Sequence, residues 1–374
     1  MDWMIQRHFF SLTILLLVGL AKAQPAVAAV DNVCDLSFQI DQGNDALFLA
    51  YCGNLNLDLG DTGVDRAIIV IHGTNRNADD YMVYVEDAGI DADNADLTTA
   101  IIAPQFLTDQ DVAAFNLPAN QLYWSSGGWK KGNTSNSDPY SRPFNISSFA
   151  VVDLLISRLA DDLAFPNINE IVIIGHSAGG QFVHRYAAGG NAQANLSITQ
   201  PGLPFRYIVA NPSSYLYFSE ERAKGGGFSK PKGKGCPEWD DYKYGLKNKN
   251  GYMNAIGNQA LKERYSSRRV IIMLGENDND PNDSSMDDGC EANLQGDHRL
   301  ERGEIFFNHA MDFFGSPILD HQTVEVISDV GHSGRQMFQS DCGLALLYDF
   351  DPDGTACAGT GDNGGNGNGK GKNK

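Results

Sequence analysis

A serine flanked by glycines is the strongest chemical signal in the sequence. The stretch "GHSAGG", residues 175–180, follows the apolar run "EIVIIG" and precedes residues with helical spacing. A strand, a sharp turn and a helix in that order lift a serine hydroxyl above the edge of a sheet, where it can act as a nucleophile. A structural Gly/Ser turn would have similar letters, so the interpretation of Ser177 as a nucleophile depends on its partners.

A serine nucleophile needs a base, and the base needs an acid that orients it. In enzymes built on such a turn, the acid and then the histidine follow the serine, each after a later strand. Histidines lie further along the chain at positions 298, 309, 321 and 332, and the one that directly follows a predicted strand is His332, in "VEVISDVGHSG". The acid is expected in "VIIMLGENDND", which contains Glu276, Asp278 and Asp280. We predict Asp278, with Asp280 as the next candidate, because the sequence does not fix the register of this turn.

Two backbone N–H groups are expected to stabilise an oxyanion beside Ser177. One belongs to Ala178, at the start of the helix. The other is predicted in "IVIHGTNRN", the loop after an early strand, where Thr74 is the preferred donor of the Gly73–Thr74 pair. We interpret His72 as a residue that orients this loop and not as the catalytic base, since it precedes Ser177 in the chain.

The elements that position these residues alternate between strands and helices. Short apolar runs rich in β-branched residues predict buried parallel strands, at 67–71, 98–106, 170–175, 205–210, 268–274 and 323–330. Helices are predicted from about Asp79 to Ala88, after Ser177, and in "SSFAVVDLLISRLADDL". In this last segment Ser147 or Ser148 is the cap, and one apolar face comprises Phe149, Val152, Leu155, Ile156, Leu159 and Leu163. The predicted fold class is α/β, with a mainly parallel sheet flanked by helices and an N-terminal antiparallel hairpin at 36–51.

The beginning of the chain has the layout of a secretory signal peptide. Arg7 and His8 precede "FFSLTILLLVGL", and "AKA" gives a small-x-small cleavage site that ends at Ala23; a second candidate site ends at residue 29. The apolar run is short for a membrane span, so an uncleaved anchor is the weaker alternative. We expect a secreted or periplasmic protein without stable membrane insertion.

Six cysteines follow the predicted cleavage site, and an even number in an exported chain suggests disulfides. Cys34 and Cys52 are each nine residues from Gly43, so a hairpin centred on that glycine sets them opposite each other. Cys342 and Cys357 are near in sequence, which leaves Cys236 to pair with Cys290. No Cys or His spacing suggests zinc.

Charge and composition exclude some partners. The formal net charge of −19 makes nucleic acid an unsuitable partner, because binding it needs a basic face. "DFDPDG", residues 349–354, resembles the start of an EF-hand loop, but Thr360 stands where the loop needs glutamate, so an acidic turn is the preferred interpretation over a calcium site. We predict one domain over 31–357 and a disordered Gly/Asn/Lys tail over 358–374.

Taken together, the chain resembles a secreted member of the α/β-hydrolase superfamily, of the serine esterase or lipase type. The resemblance covers about residues 36–350 and depends on "HGT" at 72–74, "GHSAGG", "LGENDND" at 274–280 and "GHSG" at 331–334. It implies acyl transfer to Ser177, water activated by His332, and no cofactor. The first motif departs from the longer HGGG of some lipases, which leaves the subfamily open.

The substrate is expected to be a small or polymeric carboxylic ester. Trp124, Trp129 and Tyr215 are candidate substrate contacts, although core packing or surface anchoring is at least as compatible with the two tryptophans. Residues 211–267 are either a cap over the site or a surface insert. A polyester depolymerase, a plant-wall acyl esterase, a lipase and a peptidase are alternatives on the same triad, and a non-catalytic binding protein is the alternative from another class.

Overall fold

The computed structural model describes residues 28–93, 98–232 and 235–357. The predicted signal peptide and the predicted tail lie outside the described residues. Within these ranges, no helix combines the length and apolar character needed to cross a membrane.

A single large sheet forms the centre of the fold. The described strands are β1 (Leu36–Gln42), β2 (Asp45–Gly53), β3 (Arg66–Ile71), β4 (Thr99–Pro104), β5 (Glu170–His176), β6 (Phe205–Ala210), β7 (Arg222–Lys224), β8 (Gly227–Ser229), β9 (Val270–Gly275) and β10 (Gln322–Ile327). Eight of them form one sheet in the order β1-β2-β4-β3-β5-β6-β9-β10, and β7 pairs with β8 in a separate hairpin. The pairings of β1 with β2 and of β2 with β4 are antiparallel, and those from β4 to β10 are parallel. The predicted fold class is therefore confirmed.

Helices cover both faces of this sheet. The described α-helices are α1 (Ala78–Asp91), α2 (Asp109–Ala114), α3 (Ser148–Leu159), α4 (Ala178–Gly189), α5 (Ala192–Thr199), α6 (Gly251–Ile256), α7 (Asn258–Ser267), α8 (Cys290–Asn293), α9 (Arg299–Phe314), α10 (Gly334–Phe338) and α11 (Asp341–Tyr348). Buried side chains of α3, α4 and α9 pack on one face, and those of α1, α10 and α11 pack on the other. Because both faces are covered, β4, β5, β6 and β9 are buried along their whole length and read as continuous apolar runs.

Helix α3 is shorter than the apolar pattern predicts. Ser147 caps it as expected, since its side chain accepts a hydrogen bond from the backbone N–H of Phe149 at 3.1 Å. The helix ends at Leu159, and the Asp161 carboxylate accepts the backbone N–H of Leu163 at 3.0 Å. A side chain that binds a nearby backbone N–H competes with the helix. The prediction that Leu163 shares the buried face is wrong, because its side chain is 97% exposed.

The structure pairs the six cysteines as the sequence predicts. Cys34 and Cys52 are joined at the open end of the β1–β2 hairpin, in which Leu36 lies opposite Tyr51. The other two disulfides join Cys236 to Cys290 and Cys342 to Cys357.

Candidate active site

Ser177 lies on a tight turn between β5 and α4. Its φ of 59° is in the left-handed region, which is strained for a residue with a side chain. The neighbouring glycines make the turn sterically accessible: a Cβ at Gly179 would lie 2.0 Å from the carbonyl oxygen of Ile71, and one at Gly180 would lie 2.4 Å from that of Ala210. The turn is therefore pressed against β3 and β6, and the serine hydroxyl is held at the carboxyl edge of the parallel strands.

Ser177, His332 and Asp278 form a continuous chain of hydrogen bonds. The Ser177 hydroxyl lies 3.0 Å from His332 Nε2, and His332 Nδ1 lies 2.7 Å from a carboxylate oxygen of Asp278. The histidine comes from the turn after β10 and the aspartate from the turn after β9. With Nδ1–H donated to the carboxylate, Nε2 is free to accept the serine proton.

The other acidic candidates have different partners. Glu276 accepts the backbone N–H of Asp329 at 3.1 Å, and Asp280 accepts that of Asn282 at 2.8 Å. Both side chains are exposed, whereas Asp278 is buried. The geometry thus selects Asp278 among the three.

An arginine that the sequence analysis did not identify holds the acid. Arg299, the first residue of α9, is buried and donates to the second carboxylate oxygen of Asp278 at 3.0 Å. Its other terminal nitrogen donates to Ser285 Oγ at 2.7 Å. The carboxylate is held between an arginine and a histidine, so its orientation toward His332 is fixed.

His72 organises the loop that carries Thr74. The backbone N–H of Phe106 donates to His72 Nε2 at 3.0 Å, so the ring proton is on Nδ1, which donates to the carbonyl oxygen of Gly73 at 2.8 Å. Burial lowers the pKa of His72 to about 3, so the ring is neutral. His72 therefore supports this loop through two hydrogen bonds, which agrees with its interpretation as a residue that orients the loop. Thr74, one of the two predicted oxyanion donors, is exposed and lines the same cavity as Ser177. The other is the backbone N–H of Ala178, which lies in the first turn of α4, where N–H groups have no partner within the helix.

A second histidine packs against the candidate base. The rings of His176 and His332 have centroids 4.5 Å apart, and His176 Nδ1 lies 3.0 Å from the Tyr81 hydroxyl. Burial, and then the nearby His332, hold the pKa of His176 well below its usual range. His176 is therefore neutral and does not oppose a positive charge on His332.

Ser177 and His332 open onto a cavity of about 330 Å³, and Asp278 lies buried behind them. It is lined by Gly73, Thr74, Asn75, Asn77, Tyr81, Tyr84, His176, Ser177, Ser285, His332, Ser333, Gly334 and Arg335. A larger cavity of about 660 Å³ lies between β10, α10 and the Cys342–Cys357 disulfide, and contains no triad residue. The smaller cavity, which contains Ser177 and His332, is therefore the candidate active site. Of the described residues in 211–267, none lines it; α6 and α7 pack beside α4 instead.

The three predicted substrate contacts are core residues, so that prediction is wrong in this structure. Trp124, Trp129 and Tyr215 each have 0% exposure. The Trp129 ring lies 4.7 Å from His72 and stacks on Phe106 at 5.4 Å.

Backbone hydrogen bonds hold the chain in place at Trp124 and at Tyr215. The N–H of Trp124 donates to the carbonyl oxygen of Leu107 at 2.8 Å, which ties the Gly/Ser-rich loop to the fold. Tyr215 is bound through its backbone N–H and C=O to the Gln295 amide at 2.8 and 2.9 Å, and its ring stacks on Phe306 at 4.7 Å.

The acidic stretch at 349–354 is bound to arginines. Asp349 pairs with Arg66 and, at 2.8 Å, with Arg206. Asp351 accepts the backbone N–H groups of Thr355 and Ala356 at 3.0 and 3.1 Å. The Asp351 carboxylate therefore closes a turn, and Asp349 forms ion pairs.

Two solved structures are similar to the chain over most of its length. One is the poly(aspartic acid) hydrolase-1 from Sphingomonas sp. KT-1, with a TM-score of 0.53 and 24% identity over 83% of this chain and 97% of that chain. The other is the poly(3-hydroxybutyrate) depolymerase from Bordetella parapertussis, with a TM-score of 0.53 and 21% identity over 84% of this chain and 89% of that chain. No family model and no curated protein sequence matches the chain. At this identity the likeness establishes the fold: the chain has the α/β-hydrolase fold.

Proposed function

We propose that this protein is an exported serine hydrolase that cleaves carboxylic esters through an acyl-enzyme on Ser177. The observation that carries the proposal is the continuous hydrogen-bonded chain from Ser177 through His332 to Asp278. A non-catalytic binding protein has no need for this arrangement on a strained turn.

The reaction follows from these contacts. Ser177 Oγ attacks the ester carbonyl carbon while His332 Nε2 takes the serine proton, and Asp278 stabilises the resulting imidazolium. The oxyanion accepts hydrogen bonds from the backbone N–H groups of Ala178 and Thr74. Collapse of the intermediate expels the alcohol, which takes its proton from His332. A water molecule, deprotonated by His332, then attacks the acyl group and releases the carboxylic acid and the serine.

The cavity favours short acyl groups. Its volume of about 330 Å³ is at the low end of the range for ligand sites, and its lining is largely polar. Because residues 211–267 do not cap the cavity, it can also admit part of a polymer substrate. The two similar structures are named as polymer hydrolases. A polymeric ester is therefore the second candidate substrate.

Export is supported by two features of the sequence and structure. The apolar segment before Ala23 has the layout of a signal peptide, and three disulfides are typical of proteins that fold in an oxidising compartment.

The test is hydrolysis of p-nitrophenyl esters from acetyl to palmitoyl by the wild type and by Ser177→Ala. We expect the highest kcat/KM for short acyl chains and a loss of at least about 10³-fold in the variant, since removing a triad member leaves only the oxyanion hole and binding. Undiminished hydrolysis by the folded variant would exclude Ser177 as the nucleophile. Failure of a fluorophosphonate to label the wild type would support a binding protein instead.

A further inference from the structure

Three cations lie close together beside α4, and one of them is paired with a carboxylate. This cationic cluster consists of Lys130, Arg185 and Lys243 with Asp287. Arg185 donates to the backbone carbonyl oxygens of Lys130 and Lys243 at 3.4 and 3.2 Å, and Lys243 Nζ lies 2.5 Å from Asp287. The cluster is a local departure from a chain whose formal net charge is −19.

Lys130 lies beside the catalytic cavity, in contact with one of the residues that line it. Its ammonium donates to Thr74 Oγ1 at 3.1 Å, and Thr74 lines the cavity together with Ser177 and His332. An ammonium has three N–H donors, and the hydroxyl accepts one of them. Within the described ranges, no carboxylate lies within 4.0 Å of Lys130, so its charge is not paired.

Asp287 does not neutralise the whole cluster. Its carboxylate is already bound by Lys243, by Ser214 Oγ at 2.9 Å and by the Tyr244 hydroxyl at 3.0 Å. Arg185 is fully buried, and the acceptors of its hydrogen bonds are carbonyl oxygens and the Ser214 hydroxyl, not carboxylates. The single carboxylate therefore cannot neutralise the three cations of the cluster.

Another charged neighbour of Lys130 is Arg76, which is paired with Asp111 at 3.0 Å. Burial, and then Lys243, lower the pKa of Lys130 to about 8. A buried or crowded cation is stabilised by an anion that approaches it. The side of the cavity that carries Thr74 therefore favours a ligand with a negative charge.

We propose that the natural substrate is an ester that carries a carboxylate, and that Lys130 binds this carboxylate beside the Thr74 loop. The proposal rests on the esterase function proposed above and adds the substrate class. A neutral ester of equal size would leave the ammonium unpaired, so the site discriminates by charge as well as by shape.

The test compares two pairs of esters that differ in charge. p-Nitrophenyl hydrogen adipate and p-nitrophenyl methyl adipate place the carboxylate or its methyl ester in the acyl half. 4-Acetoxybenzoate and methyl 4-acetoxybenzoate place it in the alcohol half. The quantity measured is the ratio of kcat/KM for the anionic ester to that for the neutral ester, so the contribution of the triad cancels.

We expect a wild-type ratio of about 10 in one of the pairs, equivalent to about 1.4 kcal/mol, and that pair identifies the half that carries the carboxylate. Lys130→Met should lower the ratio about tenfold, and Lys130→Arg should retain most of it. Lys224→Met is the matched control, because Lys224 is an exposed lysine of the β7–β8 hairpin and its loss changes the net charge equally. Lys130→Gln replaces Lys130→Met if the latter does not fold.

Each outcome decides the proposal. A wild-type ratio at or below one in both pairs, or an unchanged ratio in Lys130→Met, overturns the carboxylate site while hydrolysis of the neutral esters keeps the esterase function. If the wild type hydrolyses no ester in either pair, the esterase function fails and this proposal fails with it.

Discussion

Replacing Arg299 by methionine removes the second partner of the candidate triad acid. Arg299 and Asp278 are both buried, with their closest atoms 3.0 Å apart. A hydrogen bond to a charged group contributes about 1.5–3 kcal/mol. If that energy is lost from the transition state because the carboxylate no longer holds His332, kcat falls by about 10- to 150-fold. We expect KM to change little, since Arg299 does not line the catalytic cavity.

The same substitution also affects stability, and the assay has to separate the two effects. Breaking a buried ion pair costs about 3–5 kcal/mol. Arg268→Met is the matched control: Arg268 is equally buried, but it donates to the carbonyl oxygens of Ala187 and Gly190 at 2.9 and 2.7 Å. The measurements are kcat and KM with p-nitrophenyl acetate, and Tm by circular dichroism. If folded Arg299→Met retains the kcat of the control variant, Arg299 supports the fold and does not position the acid.

Two further predictions concern the turn and the cationic cluster. Gly179→Ala places a Cβ about 2.0 Å from the carbonyl oxygen of Ile71, so this variant should have a lower Tm and should not hydrolyse esters. Gly127→Ala is the control, because the added Cβ has open space around it, and it should change neither property. An active Gly179→Ala would contradict the close approach of α4 to β3. Burial lowers the pKa of Lys130 to about 8, so the ammonium is charged below that pH. The preference for anionic esters should therefore decline as the pH rises from 7 to 9. If the ratio of kcat/KM for the anionic ester to that for the neutral ester stays constant over this range in both ester pairs, another group confers the preference.

The grouping of Ser177, Asp278 and His332 was predictable because each of them follows an apolar run. β5, β9 and β10 are visible in the sequence, and parallel strands bring their carboxyl ends to one edge. The end of β10 was harder to predict from the sequence. The strand ends at Ile327, three residues earlier than predicted, and Asp329 then adopts a φ of 60°. His332 still reaches Ser177, because a turn of a few residues has enough length to return to the edge of the sheet.

The sequence could not predict which polar and aromatic side chains are buried. Arg299 looks like a charged surface residue at the start of a helix, and its role depends on a carboxylate 21 positions earlier in the chain. Trp129 lies in a loop rich in glycine and polar residues, which favours a surface location. Its burial depends on Phe106 and His72, which reach it from other loops. Contacts of this kind are tertiary and leave no local periodicity.

The net charge of the chain also could not predict the local charge beside the candidate active site. The formal net charge of −19 sets the field that a distant molecule meets, and from it the sequence predicts that polyanions are disfavoured. Within a few ångströms of Thr74 the nearest charges dominate, because salt and water screen distant surface charges more strongly than partly buried ones. There the balance is set by Lys130, Arg185 and Lys243 against Asp287. The charge of the proposed carboxylate site therefore depends on tertiary contacts, and the composition of the chain does not indicate it.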